Sequence, residues 1–448
     1  MDFNSSYDRF FLPKYRDQMY PTILLNNITL SVQDRIDRTD LPVYTIDPEG
    51  CTDADDGFSI EVTKDIIHLF IHIADPTEYF SFDDEQFACI IANGVTHYPS
   101  GHKARHMFPK EVIEQFTLID GNKHAITVHT ELDKNLNILS SNIEFTKIHC
   151  DPQYRFSYEE ASIEYKNNII LEMGFAIYNH FYNKRDSSGK KLTKLNYAYP
   201  KHVNDTFEFG YDNVDVKNMK NMIGEFAIHA NKVVAEYIYK HRPKVLFVRS
   251  CEASELKEDD SLSAHEFMNS IIENGIQANY EQDIKPHDLV GVELYTHFTS
   301  PLRRCSDCIV HFLIKSINLG VETPFNSEEL KMFAHRLNRL YKNEKKLQFN
   351  DIKFRLIQCA SNLLDCDVDF KFKFNGYTGL FINIMITQIC DYNVSISYVL
   401  RKREWDNEDY FINNPYHMIK INRVNVPKKF DEGTFEELDN FVLSKIEI

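Results

Sequence analysis

Four aspartates, Asp47, Asp53, Asp55 and Asp56, fall within ten residues of the string Thr45-Ile46-Asp47-Pro48-Glu49-Gly50-Cys51-Thr52-Asp53-Ala54-Asp55-Asp56-Gly57. Carboxylates crowded this closely repel one another unless a cation neutralises them. Oxygen donors favour Mg²⁺, or Mn²⁺, over zinc. Ions so held can bind a bridging phosphate, activate water and stabilise the leaving oxygen, so phosphodiester cleavage is a natural use. An EF-hand calcium loop does not fit: begun at Asp53 it puts Phe58 where glycine is required, and begun at Asp47 it fails at Cys51. A solvated acidic turn uses the same residue types, and this segment alone leaves that alternative open.

A second string, His297-Phe298-Thr299-Ser300-Pro301-Leu302-Arg303-Arg304-Cys305-Ser306-Asp307, predicts a helix opening at Ser300-Pro301, with Ser at the N-cap and Pro at the tolerated first position. Arg303 and Arg304 then fall in its first turn, where cations oppose the helix dipole. That cost makes sense if the arginines and the free backbone N–H groups jointly grip an anion such as phosphate. The competing structural use is an i,i+4 ion pair from Arg303 to Asp307.

The elements that must position these residues follow from periodicity. Val43–Ile46, Phe58–Val62 and Ile66–Ile73 read as strands, with Thr63-Lys64-Asp65 as a turn, so the aspartates sit between strands. Helical spacing marks Asn167–Tyr182, Val216–His241 and Ser327–Lys346. Beyond residue 365 the pattern turns to strands: Val368, Phe370, Phe372 and Phe374 alternate, Asn375-Gly376 signals a turn, and Leu380–Thr387, Val394–Leu400 and Ile419–Val426 follow. Their number admits a small OB-like β-barrel.

At 448 residues and 43% hydrophobic, the chain can bury one large core and one or two smaller ones. Nine cysteines, an odd total with one CxxC spacing, Cys305–Cys308, and no second to pair with it, predict buried, reduced thiols and a cytoplasmic setting. No signal peptide is evident, and no apolar run reaches the roughly 20 residues of a membrane helix. A net charge of -17 disfavours nucleic acid, whose phosphates are bound by lysine and arginine. Basic residues nevertheless cluster at Lys184/Arg185/Lys190/Lys191/Lys194, Arg242/Lys244, Arg303/Arg304 and Arg336–Lys346, compatible with a basic channel inside an acidic shell.

The segment Arg38–Asp56 resembles the first signature of the RNB exoribonucleases, of ribonuclease II and ribonuclease R type, and its aspartate spacing matches in full. Ile71-His72-Ile73-Ala74-Asp75, Thr96-His97-Tyr98-Pro99, His106-Met107-Phe108-Pro109, Ile223-Gly224-Glu225-Phe226 with Ala230-Asn231, and His297–Asp307 resemble later blocks in the same order. The resemblance implies an α+β fold. An RNB catalytic domain of mixed sheets and packed helices would span 35–350, after an arm of residues 1–34 and before a small all-β, OB-like domain at 365–448. It also implies that Asp47, Asp53 and Asp56 hold Mg²⁺, that Asp55 is most critical for the chemical step, and that Arg303 clamps the scissile phosphate. Arg304 would contact RNA beside it. Tyr98 would pack against RNA near the cleavage site and limit how short the product becomes, although by residue type alone it reads as core.

The implied activity is Mg²⁺-dependent, processive 3′→5′ degradation of single-stranded RNA to 5′-nucleoside monophosphates. Alternatives are a catalytically silent RNA-binding or scaffold protein with the same fold, and a metal-dependent nuclease of other polarity or with DNA as substrate. Cys305 stands where the family usually has tyrosine, Phe312 follows His311 where arginine is usual, and Arg185–Leu192 lacks the usual Gly-Ala-Leu. His97, His102 and His106 have no matching cysteine pair for a zinc site. Family members normally carry two cold-shock-like domains ahead of the catalytic domain, so RNA capture here is expected from the C-terminal domain, the arm or a protein partner.

Overall fold

Period-two alternation along residues 56–74 and 121–150 builds the sheet that carries the aspartates. The computed structural model describes residues 3–20, 30–83, 85–186, 197–253, 276–363, 369–401, 416–424 and 441–445. Its first strands are β1 (Ile36–Asp37), β2 (Thr45–Asp47), β3 (Asp56–Thr63), β4 (Ile66–Ala74), β5 (Gly121–Leu132), β6 (Ile138–Cys150) and β7 (Arg155–Ser157). Five of them form one sheet in the order β1-β6-β5-β4-β3. All neighbours are antiparallel except β1 and β6. The turn between β3 and β4 falls on Lys64, at φ 44°, as the Thr63-Lys64-Asp65 signal predicts. Strand β2 pairs with β7 in parallel, so Asp47 ends one small ladder while Asp56 begins the main sheet.

Helices α1 (Phe3–Phe10), α2 (Glu85–Asn93), α3 (Lys110–Phe116), α4 (Tyr158–Glu164), α5 (Ile169–Asp186), α6 (Val214–His241), α7 (Cys305–Asn318) and α8 (Ser327–Ser361) surround it. Two further ladders complete this part, β8 (Tyr199–Val203) with β9 (Thr206–Gly210) and β10 (Val248–Ser250) with β11 (Asn279–Glu281). One face of the sheet, through Leu69, Ile71, Ile73, Ile126 and Val128, shares a core with Met222, Phe226 and Ala230 of α6 and Ile309 and Leu313 of α7. Cys305 and Phe312, two of the departures from the family pattern, are both buried in this core. No helix among the described residues is long and apolar enough to cross a membrane.

The C-terminal part is all-β, with β12 (Asp369–Thr378), β13 (Phe381–Ile389), β14 (Tyr392–Arg401), β15 (Tyr416–Val424) and β16 (Phe441–Lys445) in the order β14-β13-β12-β15-β16, each pair antiparallel. Asn375-Gly376 is not the hairpin turn. The register shifts between Phe374 and Tyr377 within β12, with Gly376 at φ +103°, and the chain reverses at Gly379-Leu380. A bulge absorbs the positive φ that a turn would otherwise have used. Lys190, Lys191, Leu192, Lys194, Val368, Asn425 and Val426 lie outside the described residues.

Residues 3–20, which read as a polar arm, are mostly exposed but anchored by three buried aromatics, Tyr7, Phe11 and Tyr15. Tyr7 and Phe11 are buried with Phe354, Ile357 and Ala360 of α8 and Ile384 and Ile396 of the C-terminal sheet. The hydroxyls of Tyr7 and Tyr15 donate to Asp351 Oδ2 at 2.8 and 2.5 Å, and the Ser100 N–H donates to the same oxygen at 3.0 Å. The Arg355 guanidinium lies 3.8 Å over the Tyr7 ring and donates to the Ser100 carbonyl at 3.2 Å.

A buried ion cluster ties the end of β4 to α7. Asp75 and Glu78 each accept from Arg35, at 2.6 Å in both cases, and from Lys315, at 3.0 and 2.8 Å. Burial alone would raise the Asp75 carboxyl, but Lys315 and Arg35 hold it well below the ordinary carboxylate range. A depressed folded pKa means that this stabilisation is present above the unfolded value and is lost only as pH falls through the folded one. Asp75→Asn leaves two buried cations sharing Glu78 and should cost about 3–5 kcal/mol, measured by urea denaturation at neutral pH. A loss below about 1 kcal/mol would show that the cluster is solvated and energetically minor.

Candidate active site

Asp47, Asp53, Asp55, Asp56, Tyr98, Arg303 and Arg304, drawn from three separate parts of the chain, line one cavity of about 1580 Å³. The loop between β2 and β3 delivers the aspartates. Gly57 lets it fold back, because a Cβ there would lie 2.9 Å from Val43 Cγ1 and 3.1 Å from the Tyr44 carbonyl oxygen. The Asp55 carbonyl accepts from Ala74 N–H and the Ala54 carbonyl from Leu118 N–H, both at 2.9 Å, which fixes the loop against β4 and the turn between α3 and β5.

Asp55 is buried and uses both oxygens on the segment ahead of α7. Oδ1 accepts from the Leu302 N–H at 2.6 Å, and Oδ2 accepts from Arg303 Nε at 3.2 Å. This segment is not helix. The sequence expectation of a helix from Ser300 is corrected: α7 starts at Cys305, with Arg304 at its N-cap. Residues 300–304 form turns because their polar groups have tertiary partners. Ser300 N–H donates to Asp307 Oδ1 at 2.8 Å, and Leu302 N–H goes to Asp55. The arginines therefore part company. Arg304 forms a bidentate pair with Asp307 at 3.0 and 2.7 Å, whereas the Arg303 side chain is 46% exposed, held by Asp55 and, at 2.9 Å, Ser300 Oγ. The Arg303–Asp307 i,i+4 pair considered from the sequence is replaced by this i,i+3 one.

Asn231 of α6 secures the approach to this turn. Its Oδ1 accepts from Phe298 N–H at 2.7 Å, and its Nδ2 donates to Tyr295 Oη at 2.9 Å. The Tyr98 hydroxyl donates to Asp53 Oδ2 at 2.6 Å while the residue is 40% exposed, so its ring faces the cavity and is not core. His106 Nδ1 is 3.4 Å from the same oxygen. The three histidines of this region diverge, since His97 pairs with Glu344 at 2.6 Å and His102 with Asp8 at 3.0 Å.

Burial pushes Asp47 up to about 6, with Asp53 adding to it, and pushes Asp56 up to about 7, with Asp47 adding to it. Burial also drives Asp55 well up, against Arg303 and the Leu302 N–H. Asp53 differs: burial alone would raise it, but His106 and Tyr98 bring it below its ordinary value. Asp47 Oδ2 is buried with no hydrogen-bond partner, so the donor set fits a hard divalent cation. Closing on such an ion takes rotation of at least one side chain, as no three of these carboxylates converge within 4.8 Å. Cations that periodicity did not single out also line the cavity, among them Lys103, Lys110, Arg155 and Lys220. Arg155 donates to the Cys51 carbonyl at 2.6 Å and so braces the aspartate loop. Its placement comes from the parallel pairing of β7 with β2, which no sequence pattern marked.

The profile of the RNB domain matches residues 35–319. The chain is 28% identical over 311 residues to an uncharacterized ribonuclease of Synechocystis, covering 67% of this chain and 46% of that one. It is 26% identical over 364 residues to ribonuclease R of Aquifex aeolicus, covering 70% and 50%. It thus spans about half the length of these relatives. In three dimensions it is similar to Mycoplasma genitalium RNase R (TM-score 0.76, 16% identity, 99% of this chain and 78% of that one). It is also similar to yeast Ssd1, a pseudonuclease (TM-score 0.66, 15% identity, 95% and 58%).

The raised carboxylates give the site a pH signature. A group whose folded pKa lies above its unfolded value, about 4 for Asp, contributes stability below that value and loses it as pH rises through the folded one. Buried His72, His229, His287 and His297 are held below the ordinary imidazole value by burial and act in the opposite sense, so the aspartate contribution is read from a variant. With chelator present, raising the pH from 5 to 8 should lower the melting temperature of the wild type relative to that of Asp56→Asn, and added Mg²⁺ should raise the wild-type melting temperature more at pH 8. The same pH response in both proteins would show that Asp56 does not contribute to it.

Proposed function

This chain belongs to the RNB family, and from that premise we propose that it is a Mg²⁺-dependent exoribonuclease that shortens single-stranded RNA processively from the 3′ end, releasing 5′-nucleoside monophosphates. The observation that carries this reading is the grip of Asp55 on Leu302 and Arg303, which sets a half-exposed arginine side chain beside four aspartates in one cavity. Asp47, Asp53 and Asp56 would hold the metal, with Mn²⁺ as a substitute. When bound, the ion supplies polarisation of the phosphate and a water activated at neutral pH.

The chain's own side chains supply the rest. Arg303 is restrained through Asp55 and Ser300, and its exposed face offers a charge-assisted donor for a phosphate oxygen as negative charge redistributes. Tyr98 is anchored through its hydroxyl on Asp53, leaving its ring for stacking on a base. Lys103, Lys110, Arg155 and Lys220 give the cavity local positive charge that the overall balance of -17 conceals. Structures of Mycoplasma genitalium RNase R with ribose-methylated single-stranded RNA and with double-stranded RNA support RNA as the substrate class. The likeness to a pseudonuclease leaves a silent scaffold as the second reading. Retention of all four aspartates and Arg303 favours the enzyme.

Oligomers of RNA and DNA labelled at either end, incubated with Mg²⁺ or chelator, test polarity, substrate and metal together. Asp55→Asn should abolish turnover with RNA binding nearly intact, because size is kept and a carboxylate is lost. Arg303→Ala should slow cleavage by roughly 10²–10³, and Arg304→Ala much less, since its guanidinium is spent on Asp307. Tyr98→Ala should change the length of the limit product more than the rate. Wild-type protein without Mg²⁺-dependent loss of RNA, or Asp55→Asn at near wild-type rate, would refute the assignment.

A further inference from the structure

At the far end of the β3–β4 hairpin, away from the aspartates, the sheet carries a second cluster of ligating side chains. His68 on β4 stands directly opposite Glu131 on β5, and His129, two residues earlier on β5, is opposite Phe70. His68 Nδ1 and His129 Nε2 are 3.0 Å apart, and Glu131 Oε1 is 4.0 Å from His68 Nδ1. One donor atom from each of the three residues lies within 4.8 Å of the other two. The cluster is five residues along β4 from Ile73, the partner of Asp56, or about 17 Å at strand rise.

The surrounding bonds fix the tautomer of His129 and allow two for His68. Glu144 Oε1 is 2.8 Å from His129 Nδ1, and that carboxylate is itself held by Arg38 at 2.8 and 3.0 Å. A carboxylate accepts, so His129 carries its hydrogen on Nδ1 and turns a bare Nε2 lone pair toward His68. His68 Nε2 is 2.9 Å from the Thr63 hydroxyl. When Thr63 donates to Nε2, His68 Nδ1–H donates to His129 Nε2 at 3.0 Å; when His68 donates to Thr63 instead, both facing nitrogens are bare and a cation can bridge them. Phe70 stacks on His129 with ring centroids 4.3 Å apart, which fixes the ring plane. Glu131 keeps Oε1 free because Ser140 Oγ donates to Oε2 at 3.0 Å. The side chains of His68, His129 and Glu131 are 14%, 13% and 35% exposed, so an ion can enter while the ligands stay ordered.

We propose that His68, His129 and Glu131 form a binding site for Zn²⁺ or a similar imidazole-preferring divalent metal, with water in the fourth position and Glu144 as the positioning residue for His129. Two histidines and a carboxylate with an open position suit zinc, and a carboxylate behind a ligating histidine is the usual outer partner. Imidazole donors select against Mg²⁺, so this site and the aspartate cluster would sort metals by ligand softness. Two nitrogens at about 2.0–2.1 Å from one tetrahedral zinc lie about 3.4 Å apart, so the rings need to part by only about 0.4 Å.

The test uses the full chain, stripped with chelator, desalted and kept in excess Mg²⁺ so that oxygen-ligand sites are filled. Titration with Co²⁺ should give one equivalent with the intense visible absorption of tetrahedral coordination, displaced by Zn²⁺. His68→Gln and His129→Gln should each weaken Zn²⁺ binding at least 100-fold. Glu144→Gln should weaken it about 10–100-fold, the usual range for an outer partner. Asp55→Asn should leave it unchanged. Zn²⁺ should also raise the melting temperature of the wild type and not of the histidine variants, whose metal-free melting reports whether they fold. No Zn²⁺ binding by the wild type, or equal binding by folded His129→Gln, would overturn the site and leave an ordinary hydrogen-bonded histidine pair.

Discussion

The contact on which the site depends is the carboxylate of Asp55 closing on the Leu302 N–H and on Arg303. It joins residues 247 and 248 positions apart and seals the aspartate loop against the turn before α7. A buried carboxylate is tolerated only when its oxygens are satisfied. Here the satisfaction comes from the groups that the site must hold still, a backbone donor and a guanidinium. The same contact holds Leu302 in the turn that precedes α7, whose first residue is Cys305.

Support for that contact is itself ionic and buried. Arg35 and Lys315 bind Asp75 and Glu78 behind it, so β4 and α7 cannot slide without uncovering charge. On the other side, Asp351 gathers Tyr7, Tyr15 and the Ser100 N–H, so the N-terminal segment, α8 and the stretch following Tyr98 meet at one carboxylate. Rigid positioning of this kind is what the proposed phosphate chemistry would need, because misplacement by about 1 Å can cost a hundredfold in rate.

The aspartate string was legible because carboxylate crowding is a local property of the chain, and Asp47, Asp53, Asp55 and Asp56 do share one cavity. The long helices were legible by periodicity, α6 to within two residues of its expected start, although α8 runs on to Ser361, past its expected end at Lys346. What failed were features fixed by distant partners. The turn before α7 depends on Asp55, and the packing of residues 3–20 on Asp351, which lies 344 positions beyond Tyr7. Tyr98 reads as core by residue type, yet the bond of its hydroxyl to Asp53 turns the ring into the cavity. His68 and His129 are brought together by strand pairing across 61 positions, which no short motif can reveal.

The central claim is that this cavity holds divalent metal on oxygen ligands next to Arg303. Anomalous diffraction from crystals of the protein grown with Mn²⁺ and a cleavage-resistant single-stranded RNA addresses it most directly. The expected map has manganese peaks bounded by Asp47, Asp53 and Asp56, with a phosphate of the RNA's 3′-terminal linkage between metal and the Arg303 guanidinium. Manganese confined to other sites, or RNA bound with no phosphate near Arg303, would contradict it.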